Sequence, residues 1–285
     1  MLDVTGVIIV KIFITGSNGF IGSHLVKKAL GDGHEVVGFR LPNHVEKIKI
    51  LKQPIWVEGS LEDDLKPVLD GCDVVIHLAA YGVNPKYDSW QESFRWNVDA
   101  SLNLWKQAHH VGIKRLIIAG SCSEYGRSAE RYENIPCDAP LEPVNAYGAS
   151  KAAATVAAMA YARENSMEVS VLRPFHIYGE GEGPSRFWPA IKKAALEGKD
   201  FPMTLGQQIR DFTPVELAAE KFLEHATKLS IEPGKPIIQN IGTGKPKSLI
   251  GFAENLWNIF EAKGQLLPGK IPYRKNEVMR YVPKI

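Results

Sequence analysis

Val10-Lys-Ile-Phe-Ile-Thr15-Gly16-Ser17-Asn18-Gly19-Phe20-Ile21-Gly22 is the stretch whose reading decides the fold. Its first six residues are mostly β-branched and aromatic, the composition of a strand covered on both faces. Glycines then interrupt the run, and beyond them the apolar positions recur at a helical period. Strand, glycine turn and helix in that order build a phosphate cradle. The glycines permit a tight turn, a close backbone approach to a pyrophosphate, and close packing of helix on sheet. The helix N-terminus beyond adds free N–H groups and the positive end of its dipole. Residues 16–22 therefore read as a dinucleotide site. The apolar run reaches back to Gly6, but Lys11 interrupts it and no basic segment precedes it, so it reads as a buried strand and not as a signal segment.

Outward from this turn, short β-rich runs alternate with longer helical patterns. Strands are expected over residues 10–15, 35–39, 55–58, 73–77, 115–119 and 169–173, and helices over 20–30, 61–69, 90–110 and 146–163. Gly31-Asp-Gly33, Asp70-Gly71 and Val111-Gly112 supply the turns between helix and next strand. The alternation predicts an α/β protein with a doubly wound parallel sheet of Rossmann type. After Arg173 the texture changes: Pro174, Pro184, Pro189, Pro202 and Pro214 come with Gly179, Gly181 and Gly183, and the region reads as loop-rich. The expected division is a dinucleotide-binding domain over 1–172 and a smaller substrate-binding cap over most of 173–285, some segments returning to the sheet. One helix is expected near 249–262. Residues 280–285 carry no closing helix pattern, which leaves open whether the chain stops there or is truncated.

The 285 residues carry 34 basic and 32 acidic side chains, a net charge of +2, so no strong field draws in nucleic acid or a membrane surface. No apolar stretch of about 18 residues is present. Cys72, Cys122 and Cys137 are too scattered for a disulfide framework or a zinc site, and a reducing, cytoplasmic location is expected. His109 and His110 lack metal-ligand spacing and read as cations closing a helix; no metal is expected. Trp90, Trp96 and Trp105 read as packing residues of one long helix.

Two patterns carry chemistry. The second strand ends in Arg40, where an acid for the ribose 2′-hydroxyl would mark NAD. An Arg fork pairs with a 2′-phosphate, so NADP(H) is the expected cofactor, with NAD(H) the alternative. Tyr147 and Lys151 are four residues apart and share one helical face. A nearby ammonium favours phenolate, so the Tyr pKa is expected to fall toward working pH. The fifth strand ends in Gly120-Ser121-Cys122-Ser123, and its hydroxyls lie at the carboxyl end where such sheets bind ligand.

Together these residues resemble the extended short-chain dehydrogenase/reductase family, in particular its nucleotide-sugar epimerases, dehydratases and ketoreductases. The resemblance spans residues 11 to about 240. It rests on the glycine turn, His77-Leu78-Ala79-Ala80, Asn97, the Ser121 segment, Tyr147 with Lys151, Leu172-Arg-Pro-Phe175 with Tyr178-Gly179, and Arg210-Asp-Phe212. It implies a Ser121–Tyr147–Lys151 triad, with Lys151 also bonding the nicotinamide ribose. Gly16, Ser17, Asn18, Gly19, Phe20, Ile21 and Gly22 would surround the pyrophosphate, and Leu78, Ala79 and Ala80 would line the crevice. Arg210 matches the Arg that grips the sugar nucleotide's diphosphate. His176 stands where many members carry Asn near the substrate, and Cys122 and Ser123 would also face it.

Members that dehydrate sugars carry Asp-Glu where this chain has Cys122-Ser123, so dehydration is not expected. Cys122 is also one position away from the Cys of members that epimerise C3 and C5. The segment 122–127 is similar to that of reductases making deoxysugar nucleotides such as CDP-abequose. The expected activity is NADPH-dependent reduction of a nucleoside-diphosphate 4-keto-6-deoxysugar; the alternative is a 4-epimerase with retained NAD. A dehydrogenase of another small carbonyl and a non-catalytic dinucleotide sensor stand behind these. Family members pair through the helices corresponding to 90–110 and 146–163, so a homodimer is expected.

Overall fold

In the computed structural model, which describes residues 9–84 and 89–285, seven parallel strands form one sheet in the order β11-β6-β5-β4-β1-β2-β3. They are β1 (Lys11–Thr15), β2 (Glu35–Arg40), β3 (Ile55–Glu58), β4 (Val74–His77), β5 (Arg115–Ala119), β6 (Glu168–Pro174) and β11 (Ile237–Ile241). Between the last two lie the short strands β7 (Ile177–Tyr178), β8 (Phe201–Met203), β9 (Ile209–Arg210) and β10 (Thr213–Pro214). The sequence order reverses between β1 and β4, and the crevice outside their carboxyl ends is where such sheets take ligands. Residues 6–8 of the first apolar run lie outside the described residues.

The central strands bury both faces, while the edge strand β3 has no fully buried residue. Ile12 and Ile14 point toward α1 (Phe20–Gly31) and α7 (Val215–Thr227), packing with Leu25, Phe222 and Leu223. Phe13 and Val75 point the other way, toward Leu104 and Trp105 of α4 (Ala100–His110) and Ala158 of α5 (Ala146–Glu164). Such fully buried side chains contribute about 1.5–3 kcal/mol each, which makes this sandwich the main source of stability.

Several expectations are revised. The helix expected over 61–69 shrinks to α2 (Lys66–Leu69), because Asp63 accepts the Ser60 N–H at 2.7 Å and turns the chain first. The helix expected over 90–110 is α3 (Trp90–Phe94), a π-helical turn over Arg95–Asp99 and then α4. That turn carries Asn97, which accepts the Tyr81 N–H at 2.8 Å and donates to Ser150 of α5 at 2.9 Å. Such bulges aim a side chain that a regular turn would point elsewhere. Trp105 is buried as expected, but Trp90 is 63% exposed and stacks on Phe94.

The region read as loop-rich holds α6 (Phe187–Leu196), and α7 begins at its end. The signal for α7 was present: Val215, Ala218, Ala219, Phe222, Leu223 and Ala226 are its buried stripe, at helical spacing. The tail helix is α8 (Leu249–Ile259), flanked by β12 (Lys247–Ser248), β13 (Leu266–Pro268) and β14 (Arg280–Tyr281). Among the described residues no helix is long and apolar enough to cross a membrane, and no group of three or more His, Cys, Asp or Glu could hold a metal ion.

Candidate active site

The glycine turn forms because only glycine fits it. Gly16 has φ +65°, and a Cβ there would stand 2.8 Å from the Ala79 nitrogen. A Cβ on Gly22 would sit on the Gly16 carbonyl oxygen, the same oxygen that accepts the Gly19 N–H at 2.9 Å. The first turn of α1 has no acidic residue and no side-chain cap, so its N–H groups face the turn unblocked by a side chain. This concavity fits the pyrophosphate of a dinucleotide. Ser17 is fully buried and donates to the Phe39 carbonyl at 2.9 Å, so its hydroxyl fastens the turn to β2. Asn18, Phe20 and Ile21 lie at the turn's half-buried rim. Thr15 holds the wall on the other side, accepting the Ala79 N–H at 3.2 Å; Leu78 and Ala79 are half-buried beside it and Ala80 is exposed.

Arg40 ends β2 as expected, but its cation is already engaged. Its guanidinium is 3.1 Å from Glu58, the residue opposite it on β3, and 3.8 Å from Glu46, and it lies 4.4 Å over the Trp56 ring. Two carboxylates on one cation leave the locality net negative, which weakens the inference from Arg40 to a 2′-phosphate. Neither partner is adjacent in sequence, so only the folded sheet reveals them.

Ser121, Tyr147 and Lys151 come together. Ser121 lies two residues beyond β5 in extended backbone and caps a 3₁₀ turn over Cys122–Glu124, its hydroxyl accepting the Ser123 N–H at 3.1 Å. Tyr147 is the second residue of α5, whose start is capped by Asn145. Gly148 allows the close approach, since a Cβ there would be 2.6 Å from the Ser123 carbonyl oxygen. The Ser121 hydroxyl faces Tyr147 closely enough to lower the pKa of its phenol, and Lys151 is 3% exposed.

The expected direction of the Tyr147 shift is reversed. Burial pushes its hydroxyl up to about 12, against which the Ser121 hydrogen bond works. Burial also pulls Lys151 down to about 8, opposed by the Glu124 charge. Desolvation of the charged form is the largest influence on both groups, and the pairwise attraction that the four-residue spacing implies does not figure in either shift. His77, buried between Thr15 and Ser101, is driven down to about 3 chiefly by burial and stays neutral.

Next to Ser121 in the same turn is Cys122, and near it lie His176 and Arg210. Burial pushes the Cys122 thiol up to about 11, so it is no acid/base group at neutral pH. His176 has φ +34° and sits between the Phe212 and Tyr281 rings, and its buried Nδ1 has no hydrogen-bond partner. Arg210 is 7% exposed and donates at 2.7 Å to both the Glu277 carboxylate and the Val278 carbonyl. Asp211 beside it accepts the N–H groups of Thr243 and Gly244, tying this wall to the turn after β11. Sequence reasoning missed Glu277 and Tyr281, which lie far along the chain from Arg210, and it passed over Glu124.

Residues 12–242 match the model of the NAD dependent epimerase/dehydratase family. The chain belongs to that family. The chain is similar to the "Uncharacterized UDP-glucose epimerase YtcB" of Bacillus subtilis (strain 168), 32% identical over 71% of this chain and 68% of that protein. The UDP-glucose 4-epimerase of Corynebacterium glutamicum is 26% identical, over 93% of this chain and 84% of its own. Among solved structures, MoeE5 in complex with UDP-glucuronic acid and NAD superposes with a TM-score of 0.82 at 27% identity, covering 96% of this chain and 90% of that one. The epimerase/dehydratase fold of this chain is thus the fold expected for a Rossmann-type α/β protein.

Proposed function

We propose that this protein transfers hydride and proton at C4 of a nucleoside-diphosphate sugar, and that its net reaction is reduction of a 4-keto-6-deoxysugar with NADPH. The observation that carries the proposal is the convergence of Ser121, Tyr147 and Lys151 beside the glycine cradle, at the carboxyl end of the sheet. Gly16, Gly19, Gly22 and the first turn of α1 would hold the cofactor's pyrophosphate, and Leu78, Ala79 and Ala80 would line its crevice. When bound, the nicotinamide supplies the hydride donor or acceptor.

The chain's own residues handle the proton. With its pKa raised by burial, Tyr147 is protonated at neutral pH, the form that gives a proton to an oxygen gaining negative charge. Ser121 would hydrogen-bond the same oxygen and orient it. Lys151 would bond the nicotinamide ribose and hold positive charge beneath Tyr147. Arg210 would take a diphosphate oxygen by exchanging its Glu277 partner, and His176 would offer its free Nδ1 to the substrate. Residues 1–172 would thus hold the cofactor and most of 173–285 the sugar nucleotide. We place a second copy of the chain on the face carrying the exposed Trp90, Phe94 and Val156.

A second reading, 4-epimerisation with NAD kept on the protein, is favoured by the contacts of Arg40. A 2′-phosphate would meet Glu58 and Glu46 around that cation, and the NAD named with MoeE5 accords with a cofactor lacking one. Titration of cofactor-stripped protein with NADPH and NADH, followed by fluorescence, separates the two. The reductase predicts a preference for NADPH of about tenfold or more, roughly 1.4 kcal/mol. NAD that survives purification, together with conversion of UDP-glucose to its C4 epimer without net cofactor use, would replace it with the epimerase.

The acid/base assignment also sets a pH dependence. Lys151 is lowered to about 8, so its ammonium is present below that pH and lost above it. Turnover that needs the ammonium is expected to fall as pH rises through about 8. A pH–rate profile with no descending limb in that region would remove Lys151 from the mechanism.

A further inference from the structure

Glu124 lies directly behind the Ser121 turn with no solvent exposure. One carboxylate oxygen accepts the Ser121 N–H at 2.7 Å. The other accepts the Thr155 hydroxyl at 2.9 Å and Arg173 Nε at 2.8 Å. The three donors stand on three different elements. Ser121 caps the turn after β5, Thr155 is one turn beyond Lys151 on α5, and Arg173 is on β6. Gly120 makes room for this, since a Cβ there would be 2.6 Å from the carboxylate and 2.9 Å from Arg173. Arg173 in turn donates to Tyr125 Oη and the Cys137 carbonyl, and Tyr125 donates to Asn240 on β11.

A buried ion pair is poor evidence of a stability role, because desolvation of both charges offsets most of their attraction. An apolar pair of the same volume would fill this space. Two things an apolar pair would not do are hold the Ser121 N–H and keep a negative charge beside Lys151 and Tyr147. We infer that Glu124 is a positioning residue of the proton-transfer site, tying the Ser121 turn to the Tyr147/Lys151 helix and setting the charge balance of both. It touches neither substrate nor cofactor and acts through Ser121 and Lys151. Its charge opposes ionisation of Tyr147 and supports the ammonium of Lys151.

The inference rests on the proton-transfer reading of the triad, so its test is chosen to need no turnover. The ionisation of Tyr147 is read as the tyrosinate absorbance difference between a protein and the same protein carrying Tyr147→Phe, as pH is raised. Glu124→Gln keeps the shape and one acceptor but removes the charge, and the Tyr147 titration should move to lower pH. Thr155→Val removes a hydrogen bond and leaves the charge, and the titration should stay where it is in the parent. Glu124→Gln leaves Arg173 as a lone buried charge, so Glu124→Gln with Arg173→Gln repeats the measurement without it, and the same downward shift is expected. A titration in folded Glu124→Gln that superimposes on the parent overturns the inference. Loss of fold in both the single and the double variant does so as well, because Glu124 is then a stability element only. Failure of the triad reading would appear separately, as full turnover in Tyr147→Phe.

Discussion

Replacing Tyr147 by Phe is expected to lower turnover by about 10²–10⁴-fold, the range for loss of a general acid, while cofactor affinity changes little. The ring keeps its place, because α5 is capped by Asn145 and packed through Gly148 on the Ser123 carbonyl independently of the hydroxyl. What disappears is the single proton donor held against Ser121 in its protonated form. An oxygen gaining negative charge at C4 would then have to draw its proton from water that no phenol positions against it. Steady-state turnover together with a cofactor dissociation constant checks the prediction. Weakened cofactor binding with full turnover would show that Tyr147 serves the cofactor and not the proton.

Gly22→Ala is expected to weaken dinucleotide binding strongly. The added methyl would stand on the Gly16 carbonyl oxygen, 2.9 Å from the Gly16 carbonyl carbon and 2.9 Å from Ser17 Cα. These are backbone atoms with no side chain to swing aside, so α1 must move away from the turn it closes. Overpacking of this kind costs about 1–3 kcal/mol, which in binding is roughly 5- to 150-fold. The cost falls on the cofactor because the displaced element is the helix whose N–H groups face the cradle. Gly31→Ala at the other end of the same helix is the control, since a Cβ there meets nothing within 4 Å. Fluorescence titration of both variants, with circular dichroism to show that they fold, decides the matter. Binding by Gly22→Ala equal to that of Gly31→Ala would mean that the glycine turn is structural only.

Much of the fold is legible in the sequence. The alternation of β-rich runs with helical patterns marks six of the seven sheet strands to within a residue or two but not β11, because hydrophobic period is a local property that burial on a sheet or helix face imposes. The glycine turn was legible for a similar reason, since a backbone that must fold on itself excludes every side chain. Tyr147 and Lys151 were legible because four residues make about one helical turn. The failures were local too. Asp63 captures the Ser60 N–H and delays the start of α2, and the buried stripe of α7 follows a run of prolines that masks it.

Tertiary structure alone decided the partners and the charge states. Glu124 and Arg173 are 49 residues apart and Arg210 and Glu277 are 67 apart, and no local period relates either pair. Arg40, read by itself, is a free cation at the end of a strand; parallel pairing of β2 with β3 sets Glu58 opposite it and changes what it offers a cofactor. Tyr147 moves up and Lys151 down because desolvation depends on everything packed around a group, which spacing along the chain does not encode. The sequence by itself therefore determined which chemistry is present, a phosphate cradle and a Tyr–Lys pair in a parallel α/β sheet. The packed structure determined how that chemistry is set, because pairing and burial are properties of space and not of sequence separation.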